Sequence, residues 1–60
     1  MYAEIIEYAD GFSSAIIDER VGRVWTDDTR RSRADSIFAA FSHLPFGPVP
    51  FFDRVDPTRP

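Results

Sequence analysis

Three short segments rich in strand-forming residues fill the N-terminal half of the chain, and turn signals separate them. The segments are residues 2–8, 12–18 and 23–27. Between the first two lies Asp10-Gly11, a pair typical of a two-residue type I′ hairpin turn, in which both central residues need positive φ. Before the third lies Gly22, which is favourable at the left-handed position of a three-residue loop. The pattern predicts a three-stranded antiparallel β-meander.

The predicted turns also determine which residues face each other. A two-residue turn at Asp10-Gly11 pairs Ile6 with Ala15, and a three-residue second loop pairs Ile17 with Trp25. One face of the sheet then collects most of the large apolar side chains, namely Ile6, Tyr8, Ala15, Ile17 and Trp25. The opposite face is also partly apolar, with Ile5, Phe12, Ile16 and Val24. We therefore expect both faces of the sheet to need cover.

An amphipathic α-helix of three turns is predicted over residues 32–44. Ser32 can cap its start, and Asp35, three residues on, favours the positive end of the helix dipole. Apolar residues follow at helical spacing, namely Ala34, Ile37, Phe38, Phe41 and Leu44. Pro45 ends the helix because the residue before a proline avoids helical geometry. The predicted fold class is α+β, with residues 1–44 as a βββα mini-domain.

The last sixteen residues, 45–60, hold all five prolines of the chain and are predicted to form an extended, Pro-rich C-terminal tail. The tail is also apolar, with Phe46, Val49, Phe51 and Phe52 in its first half. Two hypotheses follow. Residues 45–52 pack on the uncovered face of the sheet, or they form an exposed patch that binds a partner. Residues 53–60 are expected to be frayed.

Composition narrows the possible classes of protein. With 60 residues the chain forms one small domain, and 43% hydrophobic residues favour a folded state. The chain has no cysteine and one histidine, so we expect no metal site and no cofactor. It begins at Met1 and enters a strand pattern at once, from which we expect a complete short reading frame without a signal sequence. No apolar run is long enough for a membrane span, and a cytoplasmic location is expected.

Catalysis is not expected from the distribution of polar residues. His43 lies at the end of the predicted helix, and no sequence feature places it beside a nucleophile or an orienting carboxylate. Asp27 and Asp28 are adjacent, so on a strand they point to opposite faces and make a poor acid–base pair. The chain is also too short for a deep pocket. We therefore expect a protein that is not an enzyme.

One short basic patch raises the alternative of nucleic-acid binding. Arg30, Arg31 and Arg33 lie at the start of the predicted helix, where phosphate groups can bind. Asp27 and Asp28 precede this patch, and the net charge of −3 repels nucleic acid. Direct nucleic-acid binding is therefore the less favoured prediction.

The function predicted from these features is stoichiometric binding. We expect a small acidic inhibitor or regulator of a larger protein or ribonucleoprotein complex, similar in size and charge to phage or mobile-element proteins that block bacterial defence, such as anti-CRISPR inhibitors. The candidate partner-binding residues are Asp27, Asp28, Arg30, Arg31, Phe46, Val49, Phe51 and Phe52. A self-associating structural or antitoxin-like homodimer is the alternative. The meander-plus-helix layout is similar to that of HicB-like antitoxins among other small families, and no motif selects one of them.

Overall fold

The computed structural model describes residues 1–44 and 49–56. In this part of the chain four strands and one helix follow in the order β1 (Tyr2–Tyr8), β2 (Gly11–Asp18), β3 (Gly22–Arg31), α1 (Arg33–Ser42) and β4 (Phe51–Val55). The strands form one sheet in the order β3-β2-β1-β4. The meander β1-β2-β3 is antiparallel, whereas β4 pairs with β1 in parallel. A parallel neighbour requires a crossover connection, and α1 lies in that crossover.

The predicted α+β class, meander and helix are confirmed, but the prediction of a tail is wrong. The segment after the helix contains a strand: Phe51–Val55 adds to the free side of β1, and Ala3 N–H donates to the carbonyl of Pro50 at 2.9 Å. Asp53 therefore belongs to the sheet, where fraying was expected. Phe51–Val55 extends the sheet sideways, and within residues 1–44 and 49–56 no helix or strand covers the second face. The predictions for residues 45–48, including Pro45 and Phe46, and for residues 57–60 lie outside the described residues.

The first hairpin differs from its prediction by two residues of register. Tyr8 pairs with Gly11, so the turn consists of Ala9 and Asp10, and Ile6 faces Ser13 in place of Ala15. Gly11 has φ of 141°, and no other residue of this turn has positive φ, which excludes the predicted type I′ turn. A shift of two leaves every side chain on its predicted face, because the side-chain period of a strand is two.

The second hairpin has a loop of three residues, as predicted, but Gly22, with φ of 102°, lies just after this loop and pairs with Asp18. Its strands also contain an irregularity. Ile16 pairs with Trp25 and Ile17 with Arg23, so Val24 is the extra residue of a bulge. The bulge moves Trp25 to the face that carries Ile16, whereas the prediction placed it with Ile17. A bulge has no clear sequence signal here, which explains the error.

The helix begins as predicted and packs on the Ile16 face of the sheet. Ser32 is the N-cap and accepts a hydrogen bond from the Asp35 N–H at 3.1 Å. At the other end His43 stacks on Trp25 with 4.4 Å between ring centroids. Phe41 contacts Phe51 edge to face at 6.0 Å. These contacts place α1 over the face with Ile16, so the face with Ile6 has no helix on it.

The predicted apolar stripe of the helix is partly wrong. Ile37 and Phe41 are half-buried as expected, but Phe38 is 74% exposed. The fully buried helix residues are Ser36 and Ala40. Small residues at these positions allow the helix backbone to lie close to the sheet, and the largest side chains then lie at the margins of the contact. The buried sheet residues beneath them include two small ones, Ala3 and Ser14, beside Ile5 and Ile16.

Replacing Ser36 by alanine is expected to stabilise the protein by about 1–2 kcal/mol. The Ser36 hydroxyl is buried and has no hydrogen-bond partner among the described residues. Removing an unsatisfied buried hydroxyl recovers its desolvation cost, and alanine has the higher helix propensity. Urea denaturation measures the change. Ser42→Ala is the control, because the exposed Ser42 hydroxyl donates to the Phe38 carbonyl at 2.8 Å, and its effect should be near zero. A loss of stability in Ser36→Ala would contradict this expectation.

Candidate functional site

The sheet face away from the helix is the candidate binding surface, and we call it the open face. Side chains alternate between the faces of a strand, so the register assigns its members. The open face consists of Tyr2, Glu4, Ile6, Tyr8, Ser13, Ala15, Ile17, Arg23, Thr26, Asp28, Arg30, Phe52 and Arg54. No helix or strand of residues 1–44 and 49–56 lies over it.

Aromatic rings lie at both ends of β1 on the open face. Tyr2 contacts Phe52 edge to face with 5.6 Å between centroids. Tyr8 lies under the guanidinium of Arg30, whose carbon is 3.6 Å from the ring centroid. Between the two rings, Ile6 is almost fully buried by its neighbours on the sheet. The face therefore combines an apolar centre with amphipathic rings, which is the composition found at protein interfaces.

Charged side chains on the open face are arranged as ion pairs. Arg54 lies 3.4 Å from the Glu4 carboxylate, and Arg30 Nε donates to Asp10 at 3.1 Å. Asp28 and Arg23 are the exceptions on this face, since neither has an ion-pair partner among the described residues. Exposed pairs of this kind contribute little to stability, but they set the charge pattern that a partner meets.

The arginine patch predicted from the sequence is dispersed in the structure. Arg30 lies on the open face, whereas Arg31 lies on the helix side and donates to Asp27 at 2.6 Å. Arg33 makes two hydrogen bonds to the Asp53 carboxylate, at 2.9 and 2.7 Å. All three guanidinium groups are thus bonded to carboxylates, and their positive charge is compensated locally. Of the six arginines in the described part of the chain, four are ion-paired in this way.

Three carboxyl groups have pKa values below their ordinary range. The hydrogen bond from Arg31 lowers the pKa of Asp27, and the Thr29 N–H adds to this effect. The two bonds from Arg33 lower the pKa of Asp53. The N-terminal ammonium group of Met1 lowers the pKa of Glu19, which it contacts directly. Each of these carboxylates is therefore stabilised in its ionised form by the fold.

Acid is expected to destabilise the protein partly through Asp27, whose side chain is only 10% exposed. Because its folded pKa is lowered, its contribution is complete above the ordinary value of 3.8 and is lost as pH falls through the folded value. Asp27→Asn should lower the free energy of unfolding at pH 7 and flatten its decline below about pH 4. Denaturation at several pH values measures this. Asp28→Asn is the matched control and should follow the wild-type curve; equal curves for all three proteins would contradict the role of Asp27.

The other predicted partner-binding residues are divided between the two faces. Phe52 lies on the open face and is 57% exposed, whereas Phe51 lies on the helix side against Phe41. Asp27 and Asp28 point to opposite faces, as expected for neighbours on a strand. Val49 is half-buried before β4. Phe46 lies outside the described residues. The predicted set is therefore not one contiguous site.

Tyr2, Tyr8, Glu4 and Arg54 belong to the open face but are absent from the predicted set. A sequence signal for three of them exists, since Tyr2, Glu4, Ile6 and Tyr8 follow one another at the period of two that marks one face of a strand. The fourth, Arg54, has no such signal, because its position depends on the pairing of β4 with β1.

The helix side carries the remaining polar groups of note. His43, the single histidine, stacks on Trp25. A shallow groove of about 230 Å³ lies beside the Arg33–Asp53 pair and is lined in part by Ile5 and Val55.

Within residues 1–44 and 49–56 no group of three or more His, Asp or Glu side chains is arranged to hold a metal ion. In the same residues no helix has the length and apolarity required to cross a membrane.

The described residues define a small α+β protein with a four-stranded mixed sheet, one helix on one face and an open second face. No family model matches the chain, and no curated protein or solved structure shows significant similarity to it. The arguments for function therefore rest on this chain alone.

Proposed function

We propose that this protein is a non-enzymatic binding protein that docks a larger protein, or the protein part of a ribonucleoprotein complex, on its open face. The observation that carries the proposal is the open face itself. On it Phe52 is 57% exposed, Tyr2, Tyr8 and Ile17 are half-buried, and no described helix or strand covers them. Exposed apolar area of this kind on a small acidic protein favours a protein partner.

The charges support a protein partner over a nucleic acid. Phosphate binding needs free guanidinium groups, whereas Arg30, Arg31 and Arg33 are each bonded to a carboxylate. The net charge of −3 and the unpaired Asp28 favour a partner surface with basic groups. A stoichiometric inhibitor or regulator acting in the cytoplasm fits these properties. The counter-defence proteins of phages and mobile elements, anti-CRISPR inhibitors among them, are the functional class that we propose.

Affinity isolation from a bacterial lysate tests the proposal with two matched variants. Ile17→Lys places a charge on the open face opposite Tyr2, where Ile17 is half-buried, and Phe38→Lys places the same charge on the 74% exposed outer side of the helix. The wild type and Phe38→Lys should retain one partner at a constant molar ratio, and Ile17→Lys should lose it. Circular dichroism checks that both variants fold.

Two outcomes would contradict the proposal. If Phe38→Lys loses the partner and Ile17→Lys keeps it, the open face is not the docking surface. If nuclease treatment, or the Arg30→Ala and Arg31→Ala pair, abolishes retention and binding falls steeply with salt, the ligand is a nucleic acid. Failure to recover any partner at a constant ratio would also count against a stoichiometric regulator.

A further inference from the structure

The outer edge of β4 presents a regular row of backbone groups without strand partners among the described residues. β4 is the last strand of the sheet, and its register with β1 has no bulge. The Pro50 carbonyl accepts from Ala3 N–H, and Asp56 N–H donates to the Glu7 carbonyl. Backbone groups alternate in direction along a strand, so the even-numbered residues face β1. The N–H and C=O groups of Phe51, Asp53 and Val55 therefore point outwards.

We infer that two copies of this chain pair through β4 as an antiparallel dimer with its two-fold axis at Asp53. In this register Phe51 lies opposite Val55 of the second copy, and Asp53 lies opposite its own equivalent. Each of these opposed pairs exchanges two N–H to C=O hydrogen bonds. All outward groups of the strand are thereby satisfied, and one continuous sheet joins the two copies.

The side chains of β4 are self-complementary in this register. On the helix side, the apolar Phe51 and Val55 lie opposite each other. On the open face, Phe52 lies opposite Arg54 of the second copy, an arrangement that permits a cation–π contact. The two Asp53 carboxylates meet at the axis, where each is already held by two hydrogen bonds from its own Arg33. Two like charges directly opposite each other are unfavourable, and the bonds from Arg33 offset this repulsion by neutralising each carboxylate locally.

Other antiparallel registers fit less well. Moving the axis to Arg54 places Asp53 opposite Val55, an unfavourable pair, and leaves the outward groups of Phe51 without a partner inside the strand. Moving it to Phe52 leaves the outward groups of Val55 without a partner inside the strand. In the chosen register all three outward residues of the five-residue strand β4 have a partner.

This dimer does not depend on the proposed function, because it uses the edge of the sheet and leaves most of the open face accessible. An edge of five residues provides less contact than the roughly 1,200–2,000 Å² of a standard interface. We therefore expect reversible association with a dissociation constant of about 1–100 μM. Sedimentation of the wild type across this range should show a mass that rises from 6.9 kDa towards twice that value.

Cysteine trapping tests the register, because the natural chain contains no cysteine. In Asp53→Cys the two new side chains meet at the axis with about 5.5 Å between their Cα atoms, which a disulfide can bridge. In Val55→Cys, on the same strand and the same face, the two cysteines are about 13 Å apart along the strands. Mild oxidation should convert Asp53→Cys to a covalent dimer and leave Val55→Cys as separate chains.

A third variant provides a test that does not depend on cysteine. Val55→Pro removes an outward N–H and leaves the ladder with β1 intact, so it should remain folded and sediment as a monomer at every concentration. The inference is overturned if the wild type is monomeric up to several hundred μM, or if both cysteine variants cross-link equally. It is also overturned if Val55→Pro stays folded and still dimerises, which would place the interface on another surface, such as the open face.

Discussion

Ile5→Ala is expected to remove a large part of the stability of the protein, about 2–5 kcal/mol. Ile5 lies in the middle of β1, between β2 and β4 and on the side covered by the helix, and is 1% exposed. Truncating a buried isoleucine to alanine costs about 2–5 kcal/mol, because the transfer energy is lost and a cavity remains. A chain of this length has a total stability of only about 3–9 kcal/mol. Urea titration followed by far-UV circular dichroism measures the loss.

The control for Ile5→Ala is Phe38→Ala, which removes a larger apolar side chain from a position that is 74% exposed. Its effect should lie within about 0.5 kcal/mol, because the ring contributes little buried area. The sequence pattern assigns Phe38 to the buried stripe and therefore predicts a large cost for this substitution. A cost for Phe38→Ala equal to that for Ile5→Ala would show that the helix is rotated relative to the structure.

The elements of the meander and the helix are predictable from the sequence because local signals determine them. Alternating strand formers, Gly22 and the Ser32 cap each act within a few residues of the chain. The pairing register is less predictable. Moving the first turn from Asp10-Gly11 to Ala9-Asp10 depends on the close approach of the Arg31 backbone, whose carbonyl oxygen would lie 3.1 Å from a Cβ on Gly11. That contact is distant in sequence, so no local pattern reveals it.

The packing face of the helix was predicted only in part, and for a different reason. A hydrophobicity pattern assigns the largest apolar residues to the interior, but the interior space is set by how closely the helix approaches the sheet. Here Ser36 and Ala40 lie at the contact and Phe38 lies outside. Small residues are weak signals in a hydrophobicity pattern, although they are the ones that permit close packing.

The candidate site was only partly predictable because its ion pairs join distant parts of the chain. The partner of Arg30 is Asp10 and that of Arg33 is Asp53, each twenty residues away. Neighbouring aspartates were the obvious candidates in the sequence, and only the Arg31–Asp27 pair is of that local kind. Without the strand order, the basic cluster cannot be recognised as compensated.

The C-terminal strand was not predicted, because the prolines around it argue against a strand. Proline removes a ladder donor and is therefore read as a sign against a strand, yet it is tolerated at the ends of edge strands. Pro50 precedes β4, and its carbonyl still accepts a hydrogen bond from Ala3. Within the segment, Phe51, Phe52 and Val55 are strand formers. The short run between two prolines is thus compatible with one position only, at the edge of the sheet.

Arg54→Pro is expected to destabilise the protein by about 2–4 kcal/mol, because it removes the N–H that the parallel ladder directs to the Ile5 carbonyl. The Ile5 carbonyl belongs to a buried residue and would lose its hydrogen-bond donor. Leaving a buried carbonyl without a donor lowers the free energy of unfolding. Loss of the exposed Arg54–Glu4 pair adds less than about 1 kcal/mol. Arg54→Ala measures that part alone. The fluorescence of Trp25 and circular dichroism follow denaturation, at concentrations low enough to exclude dimers.

Val55→Pro is the matched control for Arg54→Pro, since the same residue is introduced one position further along the same strand. The Val55 N–H points away from β1, so the ladder keeps all its hydrogen bonds and the cost should be about 1 kcal/mol or less. A pronounced difference in stability between the Arg54→Pro and Val55→Pro variants is expected only if this segment is a regular strand paired with β1 in the observed register. In an unpaired tail both substitutions would be neutral, and in a register shifted by one residue the order of the two variants would be reversed.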